Sequence, residues 1–212
     1  MSGVTSNVLS VTAVTTNDAD SYSLVVTSSY GSATSSVAVL TVVPPPVFPA
    51  IANQTVIAGQ TLVVTNAASD PDASAESLTF AAVAAPANST VNPATGTFTW
   101  RPTIAQSGLI TRVQLAAQDN GPPPWSATQS FWVTVNQPVP PQLAGMAWVN
   151  GAFGLSVSGD AGPDYIIQGT TNLVESNVWD TLFTTNSPAL PFWWTDPQTN
   201  LSQRYYRVLL GP

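Results

Sequence analysis

Apolar and polar residues alternate along most of this chain with a period of two, the pattern of strands with one buried face. Val8-Leu9-Ser10-Val11-Thr12-Ala13-Val14 predicts one such strand, and Val37-Ala38-Val39-Leu40-Thr41-Val42 another. Further along, Phe98 and Trp100 share one face of a strand, and Val113, Leu115 and Ala117 alternate inward on the next. Clusters of Gly, Pro and Asn separate these runs at the short spacing of β-sandwiches. Asn92 to Gly96 reads as a turn, and Asn150-Gly151 predicts a type I′ hairpin between Trp148-Val149 and Ala152-Phe153. No stretch carries helical periodicity. The fold class is all-β.

Two proline-rich joints divide the chain, Val43-Pro44-Pro45-Pro46-Val47-Phe48-Pro49 and Asn136-Gln137-Pro138-Val139-Pro140-Pro141. Proline removes donors and favours extended geometry, so these joints are stiff spacers. They imply three units in tandem, 1–43, 44–137 and 138–212.

In the first unit, Asp18-Ala19-Asp20-Ser21-Tyr22-Ser23-Leu24 resembles the corner entering the sixth strand of an immunoglobulin-type sandwich. A tyrosine there hydrogen-bonds back to the backbone, and the residue two further on points inward. The following residues resemble the last hairpin of an Ig-like domain, so the unit reads as the C-terminal half of a sandwich whose first four strands are missing. Leu9, Val11 and Val14, then Tyr22, Leu24 and Val26, then Ala38, Leu40 and Val42, are expected to face inward. Of these, Leu9, Val11, Tyr22, Leu24 and Leu40 are the candidate core and assembly residues. Three strands alone leave apolar surface and unpaired backbone exposed.

The second unit, through Phe48-Pro49-Ala50-Ile51-Ala52-Asn53-Gln54-Thr55-Val56, Asn92-Pro93-Ala94-Thr95-Gly96-Thr97-Phe98-Thr99-Trp100-Arg101-Pro102 and Ala117-Gln118-Asp119-Asn120-Gly121, resembles the bacterial "putative Ig" family, which is related to cadherin-like domains. The third unit, through Tyr165-Ile166-Ile167-Gln168, Trp194-Thr195-Asp196-Pro197 and Arg204-Tyr205-Tyr206-Arg207-Val208, resembles a small C-terminal β module of large secreted bacterial proteins. The resemblances imply tandem Ig-like and cadherin-like β-sandwiches. The ending Leu210-Gly211-Pro212 reads as a natural C-terminus, and the opening Met-Ser-Gly-Val-Thr shows no signal peptide.

Composition narrows the chemistry. Charged residues are only 7% of the 212, with 11 acidic residues against 4 arginines, so the net charge is −7 and no basic stripe exists for nucleic acid. There is no Cys and no His, which removes disulfides, thiol nucleophiles, imidazole metal sites and a Ser-His-Asp triad. There is also no Lys, hence no Schiff base and little charge to protect sheet edges. No run of 18 apolar residues spans a membrane.

Three candidate sites remain. Asp70 and Asp72, followed by Glu76, together with Asp119-Asn120, resemble acidic loop positions that hold Ca²⁺ between cadherin repeats. The alternative is that Asp70, Asp72 and Asp119 cap turns through Asx hydrogen bonds. Trp193 and Trp194 are adjacent and must point to opposite faces if extended, which offers one of them as a glycan platform or an interface residue. Paired carboxylates could in principle serve glycoside hydrolysis, but every carboxylate lies in a turn-like context outside any catalytic motif. No catalytic residue is assigned, and no cofactor other than calcium is in question.

The expected function is therefore that of a non-enzymatic structural or adhesive protein at the bacterial cell surface or outside it. It would act through self-association or other surface proteins, assembling head to tail by strand complementation of residues 1–43. An incomplete piece of a larger protein is the other reading of that segment. The alternative function is a carbohydrate-binding accessory region of a larger secreted protein, with polysaccharide as partner.

Overall fold

The computed structural model describes residues 8–71, 77–174 and 178–211. Its elements are strands, apart from two single-turn 3₁₀ helices at Thr16–Asp18 and Ile104–Gln106.

The first segment holds β1 (Asp20–Tyr22), β2 (Val25–Ser28), β3 (Gly31–Thr34) and β4 (Ala38–Leu40). These are two halves of one antiparallel hairpin. Tyr22 pairs with Ala38 and Val25 with Thr34, so the register shifts by one residue between the halves. At the shift, the Leu24 N–H donates to Ser35 Oγ (2.9 Å) and the Ser35 N–H donates to Leu24 O (2.9 Å). Leu24 thus sits in a break, not in the continuous strand that alternation implies. A second expectation fails upstream: residues 8–15 form no strand. Ala13 turns the backbone at φ 53°, and the 3₁₀ turn follows with Thr15 and Asp18 in a capping box.

The second segment is a two-layer sandwich. One sheet is ordered β5 (Gln54–Ile57), β11 (Ser126–Asn136), β10 (Ile110–Gln118) and β7 (Thr79–Ala84). The other is β6 (Leu62–Val64), β9 (Phe98–Trp100) and β8 (Thr90–Val91). β5 runs parallel to β11, an arrangement that period-two patterning cannot announce. Phe98, Trp100, Val113, Leu115, Ala117, Phe131, Val133 and Val135 close the core, all at 1% exposure or less. Phe98 and Phe131 meet edge to face at 5.8 Å. The Asn92–Gly96 turn forms as its residues imply. Asn92 Oδ1 accepts from the N–H groups of Ala94 and Thr95, and Gly96 takes φ 68°. A Cβ at Gly96 would press the Phe80 ring at 2.9 Å, so space and backbone both demand glycine there.

The third segment packs β12 (Gln142–Val149), β13 (Ala152–Ser158) and β16 (Phe192–Thr195) against β15 (Asp180–Thr184), β14 (Tyr165–Thr170) and β17 (Tyr205–Leu210). Its core is smaller: Leu155, Val157, Tyr165, Ile167 and Trp194. The β12–β13 turn has φ 52° at Asn150 and 81° at Gly151, the two positive values a type I′ turn requires.

Candidate functional site

No residue from 8 to 43 is buried. Leu24 is 54% exposed and Val39 73%, while Val25 and Val26, adjacent and therefore on opposite faces, are both bare. Leu9 is also exposed, and Val11, Tyr22 and Leu40 are half-buried. Of the five candidate core residues, Leu9 and Val11 lie upstream, outside any strand, and Tyr22, Leu24 and Leu40 lie on a hairpin with no core of its own. Its local chemistry is nevertheless finished. The Tyr22 hydroxyl donates to Asp18 O at 2.6 Å, which is the corner bond the motif implies. The hairpin thus has its corner closed and carries exposed apolar side chains on both faces.

The acidic loops come out differently. Asp70 and Asp119 are both buried, whereas Asp72 and Glu76 lie outside the described residues. Asp119 Oδ1 accepts from the Gly121 N–H (3.0 Å) and the Trp125 N–H (2.9 Å), so it closes the loop between β10 and β11. Among the described residues, no three carboxylates stand together as a metal site would need.

Trp193 and Trp194 part as adjacent strand residues must. Trp194 is buried against Tyr206, ring centroids 6.1 Å apart, and belongs to the core. Trp193 is 46% exposed on the outer face of the β12–β13–β16 sheet. Its ring covers Gly154 so closely that any side chain there would overlap it, and it reaches over Gly145 on β12. Its indole N–H donates to Thr195 Oγ1 at 3.2 Å.

Beneath Trp194 lies a buried ion pair. Arg204 Nη1 donates to both oxygens of Asp196, at 3.0 and 2.8 Å, and to Gln198 Oε1 at 2.9 Å. Asp196 also accepts from the Tyr206 hydroxyl (2.7 Å) and the Gln198 N–H (2.9 Å). Four hydrogen bonds offset the desolvation of its charge. Burial, the Asp196 hydrogen bond and the Asp196 charge push the Tyr206 phenol well above its usual range, with Arg204 opposing. Tyr165 repeats the corner of Tyr22 in this unit, its hydroxyl donating to Asp160 O at 2.7 Å. Burial, then the Asp160 charge, raises its pKa too.

The second proline joint is bolted as well as stiff. Arg101 Nε donates to Gly59 O (2.7 Å), and Nη2 to Gly162 O (2.9 Å), Asp164 Oδ1 (2.7 Å) and Ser187 Oγ (3.0 Å). Gln60 Nε2 reaches Ala161 O at 2.7 Å, and the Val139 N–H donates to Asp160 Oδ2 at 2.6 Å. Pattern reading missed this constellation. Its one available signal was an arginine between Trp100 and Pro102 in a chain with so few cations.

Residues 44–136 match the family model described as "Putative Ig domain". No curated protein matches the chain. Among solved structures, it is similar to the protocadherin GammaB4 extracellular domain at 18% identity, covering 66% of this chain and 29% of that one, with TM-score 0.38. Sidekick-1 immunoglobulin domains 1–5 are similar at 14% identity over 75% of this chain and 35% of that one, TM-score 0.39. A nucleoside hydrolase-related hypothetical protein from Saccharophagus degradans, associated with carbohydrate metabolism, is similar at 16% identity over 45% and 26%, TM-score 0.37. This chain spans 26–35% of the length of those three.

Proposed function

We propose that this protein is a non-enzymatic structural or adhesive component of the bacterial cell exterior, built of three β units at 1–43, 44–137 and 138–212. In this reading residues 8–43 are half of an Ig-like sandwich, completed by strands of a neighbouring copy in a head-to-tail contact. The observation that carries it is the bare hairpin. A Val or Leu side chain taken from full exposure to full burial contributes about 1.5–3 kcal/mol, so covering Leu24 and Val26, already close to half-shielded, supplies roughly 2–3 kcal/mol together. Strand addition also satisfies the open backbone edge. A head-to-tail contact of this kind gives rings or filaments according to whether it closes.

Light scattering and negative-stain imaging of the full chain test the reading. Elongated particles are expected, and Val26→Asp or Val39→Asp, each placing a charge on the bare hairpin, should dissolve them. A monomer at all concentrations, with the backbone amides of 20–40 exchanging freely, would remove the assembly.

A second reading, a carbohydrate-binding accessory region, is favoured by Trp193. A large ring laid flat over glycine backbone and open on its other face is a stacking platform. Polysaccharide pull-down with Trp193→Ala tests it. Trp194→Ala is uninformative there, because Trp194 is core.

A further inference from the structure

We infer that the third unit carries a second carbohydrate subsite, a cleft for a neutral saccharide between the β12 edge and the 198–204 loop. The inference rests on the carbohydrate-binding reading and gives it a site distinct from Trp193.

The cavity holds about 390 Å³, within the range of small-ligand sites. Its apolar wall is Met146 and Trp148 from β12, the latter 68% exposed, faced by Leu201. Its polar rim is Gln198, Thr199, Ser202 and Gln203, all uncharged. The one charged group in the lining, Arg204, is bound through Nη1 to both oxygens of the buried Asp196. Gln198 is exposed and turns its carbonyl to Arg204, so its amide NH₂ is the group it has to offer a ligand. An apolar wall opposite amides and hydroxyls, with the local charge neutralised, complements a sugar ring: CH groups on one face and hydroxyls at the edge. It does not complement an anion.

The wall is held in place before any ligand arrives. Trp148 packs edge-on against Phe153 at 5.9 Å, Phe153 stacks on Tyr206 at 5.0 Å, and Tyr206 is fixed through its hydroxyl to Asp196. Preorganisation of this kind lowers the ordering cost of binding. An extended peptide adding to the β12 edge is the competing occupant. The register of β12 shifts between Ala144 and Ala147, which breaks the regular ladder that strand addition requires.

The test measures calorimetric binding of the full chain to cellohexaose, xylohexaose, laminarihexaose and mannohexaose, with oligogalacturonate as the anionic probe. We expect at least one neutral hexasaccharide to bind. Trp148→Ala and Met146→Glu should each weaken it at least tenfold while the melting temperature stays within a few degrees, and Trp132→Ala, an equally bare tryptophan on the middle sandwich, should leave this affinity unchanged. Binding that Trp193→Ala abolishes and Trp148→Ala spares overturns the cleft and leaves the carbohydrate reading standing. Preference for oligogalacturonate overturns the neutral-ligand assignment. No binding to any probe at millimolar concentration overturns both.

Discussion

Arg101 and Asp164 meet at 2.7 Å across the second proline joint, joining the strand-end of the middle sandwich to the loop that opens β14 of the third. The same guanidinium serves two backbone carbonyls, Gly59 O and Gly162 O. Removing it therefore strips the joint of a charge and leaves both carbonyls without that donor. Hydrogen bonds to charged groups are worth about 1.5–3 kcal/mol. Arg101→Ala should leave both sandwiches folded by circular dichroism but broaden the distance distribution in small-angle scattering. Arg101→Lys should rescue little, because a point charge cannot span the fork of acceptors.

The Asp196–Arg204 pair predicts a larger effect confined to the third unit. Asp196→Ala leaves a buried guanidinium unpaired, which costs about 3–5 kcal/mol. Urea unfolding followed by near-ultraviolet dichroism should show the loss. Replacing both residues by leucine should recover part of it, because no lone charge is then buried.

Alkali should unfold the third unit before the second. The phenols of Tyr165 and Tyr206 have pKa values raised above 10.0 in the folded chain. A group raised on folding contributes its full stabilisation below the unfolded value and loses it as pH climbs through the folded one. Urea midpoints should therefore be insensitive to these groups below pH ~10 and fall above it. Tyr206→Phe should flatten that fall; an unchanged slope would contradict the burial of the hydroxyl against Asp196.

Asp119 decides between turn cap and calcium ligand. With Oδ1 holding two backbone N–H groups, Asp119→Ala should cost about 2–3 kcal/mol, equally in calcium chloride and in chelator. A melting temperature that rises with calcium and drops with chelator would instead assign Asp70, Asp72 and Asp119 to an ion.

Gly154 supports the Trp193 platform. Gly154→Ala should lift the ring from the sheet, seen as a red shift in tryptophan emission, while Ser156→Ala on the same face leaves it unchanged.

The strands of the middle unit were legible because their burial is local in pattern. Val113, Leu115 and Ala117 alternate, and all three are at 0% exposure. Turns were legible for a similar reason. Asn92, Gly96, Asn150 and Gly151 carry backbone preferences that hold in any surroundings. Alternation misled at Leu24, because a one-residue register shift is set by the partner strand and the Ser35 side chain, not by Leu24 itself. It misled again at Val8–Val14, where apolar alternation was present and a paired strand was not.

By itself, the sequence determined an all-β chain, the core of its middle sandwich, the tyrosine corner at Tyr22 and the divergence of Trp193 from Trp194. Tertiary structure alone decided that β5 runs parallel to β11, that Arg101 bolts the second joint and that Trp148 walls a cleft. It also decided that Asp196, besides capping its own turn, is buried in an ion pair with Arg204. The physical reason is distance along the chain. Periodicity and turn chemistry act over a few residues, whereas Arg101 reaches a partner 63 positions away. Only the folded packing brings such groups within bonding range.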